Sequence, residues 1–193
     1  MTCCGHFVGC CPWLAQKILE LVIILKWEDF NMSLYVAYGS NLNIEQMYSR
    51  CPGAALIGSG FLQNVKLMFG SHNNSWSYAT VKPELGAVTP VGIWEVTKED
   101  EKSLDRYEGY PRLYSKKTCC FEMNGTRMKG IIYVMNEPVE AILPTKRYME
   151  TCIQGYKDFG LNMTYLREAY NECVDEYEKR LMTRTKIKNY ITK

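Results

Sequence analysis

Apolar residues divide the chain beyond residue 32 into short elements separated by sharp turn signals. Leu34-Tyr35-Val36-Ala37-Tyr38 is a continuous run of strand length, stopped by Gly39-Ser40-Asn41. Asn43 is placed to cap a helix from Ile44 to about Arg50, which Cys51-Pro52 ends. β-prone residues predict strands over 61–69, 78–81 and 88–96. Thr97 followed by Asp100 forms an acidic capping box for a helix over 98–107, with Gly109 and Pro111 as its stop. Segments 114–123 and 126–134 flank Asn124-Gly125, a strong hairpin signal. Pro144-Thr145 opens a helix with Tyr148, Met149, Cys152, Ile153 and Tyr156 on one stripe, and Thr164 is placed to cap a last helix. Strands fill the middle and helices the end. The expected class is α+β, with a mixed, barrel-like β-sheet and flanking helices.

Residues 1–31 do not continue this pattern. The run from Ile18 to Leu25 is interrupted by Glu20 and is far short of the roughly 20 residues a spanning helix needs. Its flanks do not match a signal peptide. This segment reads as an N-terminal extension, non-native or weakly ordered, ahead of a domain over 32–177. With 23 basic and 21 acidic side chains the chain carries +2. Six bases against one acid from Glu178 onward mark 178–193 as a basic tail and leave the body mildly acidic. That balance argues against nucleic acid as a partner, and a membrane partner is not expected either. Nine cysteines, four of them within the first eleven residues, and only two histidines give no zinc spacing. Reduced thiols in the cytoplasm are the expectation, with no metal and no cofactor.

Candidate chemistry concentrates at Tyr38-Gly39-Ser40-Asn41-Leu42, a strand–tight loop–helix junction. Gly39 lets backbone approach a ligand closely, and the amides that follow suit a carboxylate or oxyanion. The spacing is not that of a P-loop. Leu34 to Leu42, read LYVAYGSNL, resembles the signature of the γ-glutamylcyclotransferase family. Later blocks are similar too: Val91 to Val96, Leu104 to Gly109, Tyr114, Tyr133-Val134-Met135, and Pro144 to Tyr148 with the stretch from Gly155 to Leu161. The likeness extends over 33–171. It implies a γ-glutamylcyclotransferase-like fold and release of 5-oxoproline from a γ-glutamyl amino acid or peptide. A γ-glutamyl amine as substrate, or a non-catalytic member that binds a small metabolite, are the alternatives. By block, Glu108 matches the catalytic acid/base. Tyr35, Val36, Ala37, Tyr38, Gly39, Ser40 and Asn41 match the segment that holds the γ-glutamyl group, and Tyr133 matches a pocket tyrosine. Tyr114 and Tyr148 are looser matches. The implied partner is a small γ-glutamyl substrate, and a homodimer stays open.

Such a reaction needs little from the protein, because the substrate brings its own nucleophile. Its α-amine attacks its own γ-carbonyl, so a base must first remove a proton and an acid must later return one to the leaving amine. One glutamate can do both. Glu108 also falls at the expected C-terminal end of the helix over 98–107. There the dipole disfavours a carboxylate, and the flanking Tyr107, Tyr110 and Pro111 point to partial desolvation, so its pKa should be raised.

Overall fold

A computed structural model describes residues 32–72, 76–137 and 139–191, with side chains through 185. The extension expected over 1–31 lies outside the described residues. The elements run β1 (Ser33–Ala37), a 3-10 turn (Ser40–Leu42), α1 (Ile44–Arg50), β2 (Ala55–Gly70), β3 (Tyr78–Val96), α2 (Lys98–Tyr107), β4 (Tyr114–Met123), β5 (Thr126–Met135), α3 (Lys146–Asp158) and α4 (Met163–Ile191). The five strands close into a barrel in the order β1-β3-β2-β4-β5. All neighbours are antiparallel except β1 and β5, which pair in parallel at Tyr35 and Ile131. The architecture is therefore the mixed, barrel-like α+β fold expected from the pattern.

Local chemistry explains most boundaries. Thr97 Oγ1 accepts from the Asp100 amide while Asp100 Oδ2 accepts from the Thr97 amide, so both ends of the capping box are made. The turn between β4 and β5 carries positive φ at both Asn124 (51°) and Gly125 (73°), the geometry of a two-residue hairpin loop matched to strand twist. Asn43 Oδ1 accepts from the Gln46 amide and starts α1.

Three expectations need correction. β2 begins at Ala55, not at Phe61. The two short strands expected over 78–81 and 88–96 are one 19-residue strand, β3. The register passes from Val65↔Pro83 to Gln63↔Val88, so residues 84–87 bulge opposite Asn64. Asn64 sits at φ 57° and its Oδ1 accepts from the Gly86 amide, which pins the bulge. Pro83 and Pro90 are tolerated because β3 pairs with β1 only from Gly92 onward. Finally, α4 starts at Met163, and Asn162 Oδ1, not Thr164, takes the capping role by accepting from the Thr164 amide. The helix continues through position 178 without a break, and Arg180 reaches back to Glu140 at 2.5 Å.

The core fills the barrel and its helix-covered side with Val36, Leu62, Trp94, Phe121, Tyr133 and Tyr156 among its most buried members. It also fixes the loop after β1. Trp94 Nε1 donates to the Asn41 carbonyl at 3.1 Å. On the other side, α3 lies so close that a Cβ on Gly155 would stand 2.5 Å from Leu42 Cβ. The 3-10 turn is thus wedged between β3 and α3. Its exact position is set by packing, not by propensity.

Candidate active site

The end of β1 and the 3-10 turn face the C-terminal end of α2 across a small cavity. Tyr35, Tyr38, Gly39, Ser40, Asn41, Glu108, Tyr114 and Tyr133 line it, together with Ala79 of β3 and Tyr148 of α3. An adjoining chamber shares Ser40, Glu108, Tyr114 and Tyr148 and adds Tyr78, Tyr107 and Leu113. Residues far apart in sequence therefore converge on one carboxyl group.

Most tyrosine hydroxyls are already engaged. Tyr38 donates to the Tyr133 carbonyl at 2.5 Å, Tyr114 to the Ala79 carbonyl at 2.8 Å, and Tyr133 to Asp105 Oδ1 at 2.6 Å. Tyr148 accepts from the Ala79 amide at 3.0 Å. Tyr107 and Ser40 share a hydrogen bond of 3.0 Å. These rings form stiff walls, and burial pushes the hydroxyl pKa of Tyr35, Tyr38, Tyr114 and Tyr148 well above 10, so the walls stay neutral. Asp105 also meets Lys116, which pairs with Glu101 as well. That cluster braces α2 against β4 and leaves Tyr133 to face the cavity with its ring.

Glu108 is the C-cap of α2, and its amide donates to the Leu104 carbonyl at 2.8 Å. The residue as a whole is only partly buried, but its carboxyl group is enclosed. Oε1 accepts from Asn41 Nδ2 at 2.8 Å, and the same Nδ2 donates to Tyr35 Oη at 2.8 Å. Burial raises the carboxyl pKa from 4.5 to about 7. The Arg50 charge and the hydrogen bonds from Asn41 and Tyr35 pull the other way but do not cancel it. Of the two causes expected from the sequence, desolvation is the leading one. Opposite Glu108, the 3-10 turn is closed by the Leu42 and Asn43 amides bonding to the Gly39 and Ser40 carbonyls. The Ser40 and Asn41 amides thus stand at the open end, without a partner inside the turn.

Not every residue singled out from the sequence reaches the cavity. Val36 and Ala37 are buried in β1 and do not line it. Sequence reasoning missed Ala79, Tyr107 and Arg50. Arg50 Nη1 donates to Asn41 Oδ1 at 2.6 Å and its guanidinium stacks 3.7 Å from the Tyr107 ring centre. Its place in the last turn of α1 carried only a helix-dipole signal. Among the described residues no cluster of His, Cys, Asp and Glu could hold a metal ion. Among them, too, no helix is long and apolar enough to cross a membrane.

The family model described as "Gamma-glutamyl cyclotransferase, AIG2-like" matches residues 35–150. The chain is 30% identical to Gamma-glutamylcyclotransferase of Homo sapiens over 148 residues, covering 71% of this chain and 77% of that protein. It is 27% identical to Gamma-glutamylcyclotransferase of Bos taurus over 165 residues, covering 81% and 87%. A solved structure named Gamma-glutamyl cyclotransferase superposes with a TM-score of 0.65 at 28% identity, over 72% of this chain and 86% of that one.

Proposed function

The chain belongs to the γ-glutamyl cyclotransferase, AIG2-like family, and from that premise we propose that it releases 5-oxoproline from a γ-glutamyl amino acid or peptide, with Glu108 as the single acid/base. The observation that carries this reading is the enclosed Glu108 carboxyl, with a pKa near 7, bonded to Asn41 Nδ2 in a cavity that Gly39 and Ser40 also line.

The substrate's α-ammonium titrates near ~8 in the unperturbed case. A carboxylate of pKa near 7 can therefore accept its proton with little uphill cost, where an ordinary carboxylate would pay several pH units' worth. The freed amine attacks the γ-carbonyl carbon and the C–N bond of a five-membered ring forms. The carbonyl oxygen takes up the electron pair, and the Ser40 and Asn41 amides, without a partner inside the 3-10 turn, are the donors to receive it. Collapse of this intermediate breaks the bond to the leaving nitrogen, which takes the proton back from Glu108. The ring nitrogen gives up its extra proton through Glu108 to the departing amine, so the products are 5-oxoproline and an ammonium ion, and Glu108 is ionised again. The tyrosine walls hold the glutamyl chain folded, and oriented intramolecular attack can supply on the order of 7–11 kcal/mol.

The buried thiols of Cys51, Cys119, Cys152 and Cys173 have pKa values pushed up to about 11–12 by desolvation, so they are poor nucleophiles. Free thiols of this kind support a reducing compartment, and the cytoplasm is part of the proposal.

Purified protein incubated with γ-glutamyl-L-alanine is expected to yield 5-oxoproline and alanine in equal amounts. A γ-glutamyl amine used in parallel distinguishes the two substrate classes. Bound ligand without product from either would make the protein a binder instead of an enzyme.

A further inference from the structure

An asparagine amide fits its site in two orientations that exchange Oδ1 and Nδ2. At Asn41 the choice is made from outside the cavity. Arg50 Nη1 lies 2.6 Å from Asn41 Oδ1, and a guanidinium can only donate, so Oδ1 must face it. Nδ2 is thereby turned toward Tyr35 and Glu108. The guanidinium is itself held on further sides. Nη2 donates to Gln46 Oε1 at 2.6 Å, one helical turn earlier, and Gln46 Nε2 donates to Thr151 Oγ1 at 3.2 Å. Its plane rests on the Tyr107 ring at 3.7 Å.

We infer that Arg50 is a positioning residue: by holding Asn41 Oδ1 it commits Asn41 Nδ2 to Glu108 Oε1, and so keeps a donor and not an acceptor against the carboxyl group. The inference rests on the acid/base reading of Glu108 given above. Without Arg50 the amide can turn over and present Oδ1 to the carboxyl group. An ionised Glu108 would then meet an acceptor instead of a donor. A protonated Glu108 would place its hydrogen on Oε1 and bond to Asn41, holding the proton away from the substrate.

The groups that face Glu108 make Arg50 hard to replace. Tyr35 and Tyr38 approach from the end of β1, Tyr107 from α2, Tyr114 from β4, Tyr133 from β5 and Tyr148 from α3. All six hydroxyls have raised pKa values and stay neutral through the working range. Arg50 is the cation whose charge reaches Glu108.

The test compares wild type, Arg50→Met and Arg50→Lys. Two quantities are read: kcat and KM for 5-oxoproline release, and the titration midpoint of the Glu108 carboxyl carbon by NMR, assigned by its loss in Glu108→Gln. Arg50→Met is expected to lose at least tenfold in kcat with KM changed less than twofold, and to raise the midpoint by about one pH unit. Arg50→Lys, still a pure donor, is expected to recover most of both. Wild-type kcat and midpoint in the Met variant, or a Lys variant no better than Met, overturns the proposal. Should the Met variant fail to fold, the wild type still decides. There the Asn41 side-chain N–H2 resonance is expected to shift with the Glu108 midpoint, and a resonance indifferent to that titration overturns the proposal. If wild type turns over no γ-glutamyl substrate, the enzymatic reading fails, while the NMR midpoints still judge Arg50.

Discussion

Glu108→Gln is expected to lose at least two orders of magnitude in kcat while binding a γ-glutamyl ligand about as well as wild type. Glutamine keeps the shape of the side chain and can still accept the Asn41 N–H, so the cavity survives, but it cannot take up or return a proton. The same substitution is expected to stabilise the fold at alkaline pH. The folded-state pKa of Glu108 lies above its ordinary value, about 7 against 4.5. Below 4.5 both folded and unfolded chains hold the proton and the glutamate carries no penalty. Between 4.5 and 7 the unfolded chain releases its proton while the folded chain retains it, and stability falls as pH rises. Above 7 the full cost of a buried carboxylate is present, about 3 kcal/mol at 1.36 kcal/mol per pH unit. Glu108→Gln should therefore melt higher than wild type at pH 8 and at the same temperature below pH 4.5. Steady-state kinetics, a binding isotherm and melts at the two pH values check all three statements. Near-normal kcat would remove Glu108 from the mechanism.

Gly39→Val is expected to lower kcat/KM at least tenfold, chiefly through KM. A Cβ at position 39 would lie 3.0 Å from Ala79 Cβ and 3.1 Å from Tyr148 Oη, and valine adds two methyl groups to that crowded spot. Tyr148 is held there by the Ala79 amide, and the Ala79 carbonyl holds Tyr114. Displacing Ala79 therefore moves two walls of the cavity at once, and misplacement by about 1 Å can cost about 100-fold. Substrate affinity equal to wild type would mean that the loop only connects β1 to α1.

Much of this arrangement was legible from residue types alone. The run LYVAYGSNL, the Thr97–Asp100 capping box and the Asn124-Gly125 hairpin are local patterns, and each lies where its chemistry predicts. Glu108 was found by its block and by its place at a helix end. The extent of β3 was hidden, because Pro83, Glu84 and Gly86 read as breaks. Only the partner strand and the Asn64 side chain show how the ladder continues past them. Ala79 was hidden for a different reason. It contributes backbone atoms, and those carry no signature in sequence. Arg50 was hidden because its contacts depend on the 3-10 turn folding back over α1, which Trp94 and α3 enforce from far along the chain.

The central claim is that an enclosed carboxyl group at position 108 exchanges protons near neutral pH. Its most direct test is the carbon NMR titration of Glu108 in the unliganded wild type. A midpoint near 7, coinciding with the acid limb of kcat/KM, is the expected result. A midpoint at or below 4.5, the value of a carboxylate open to water, would contradict it.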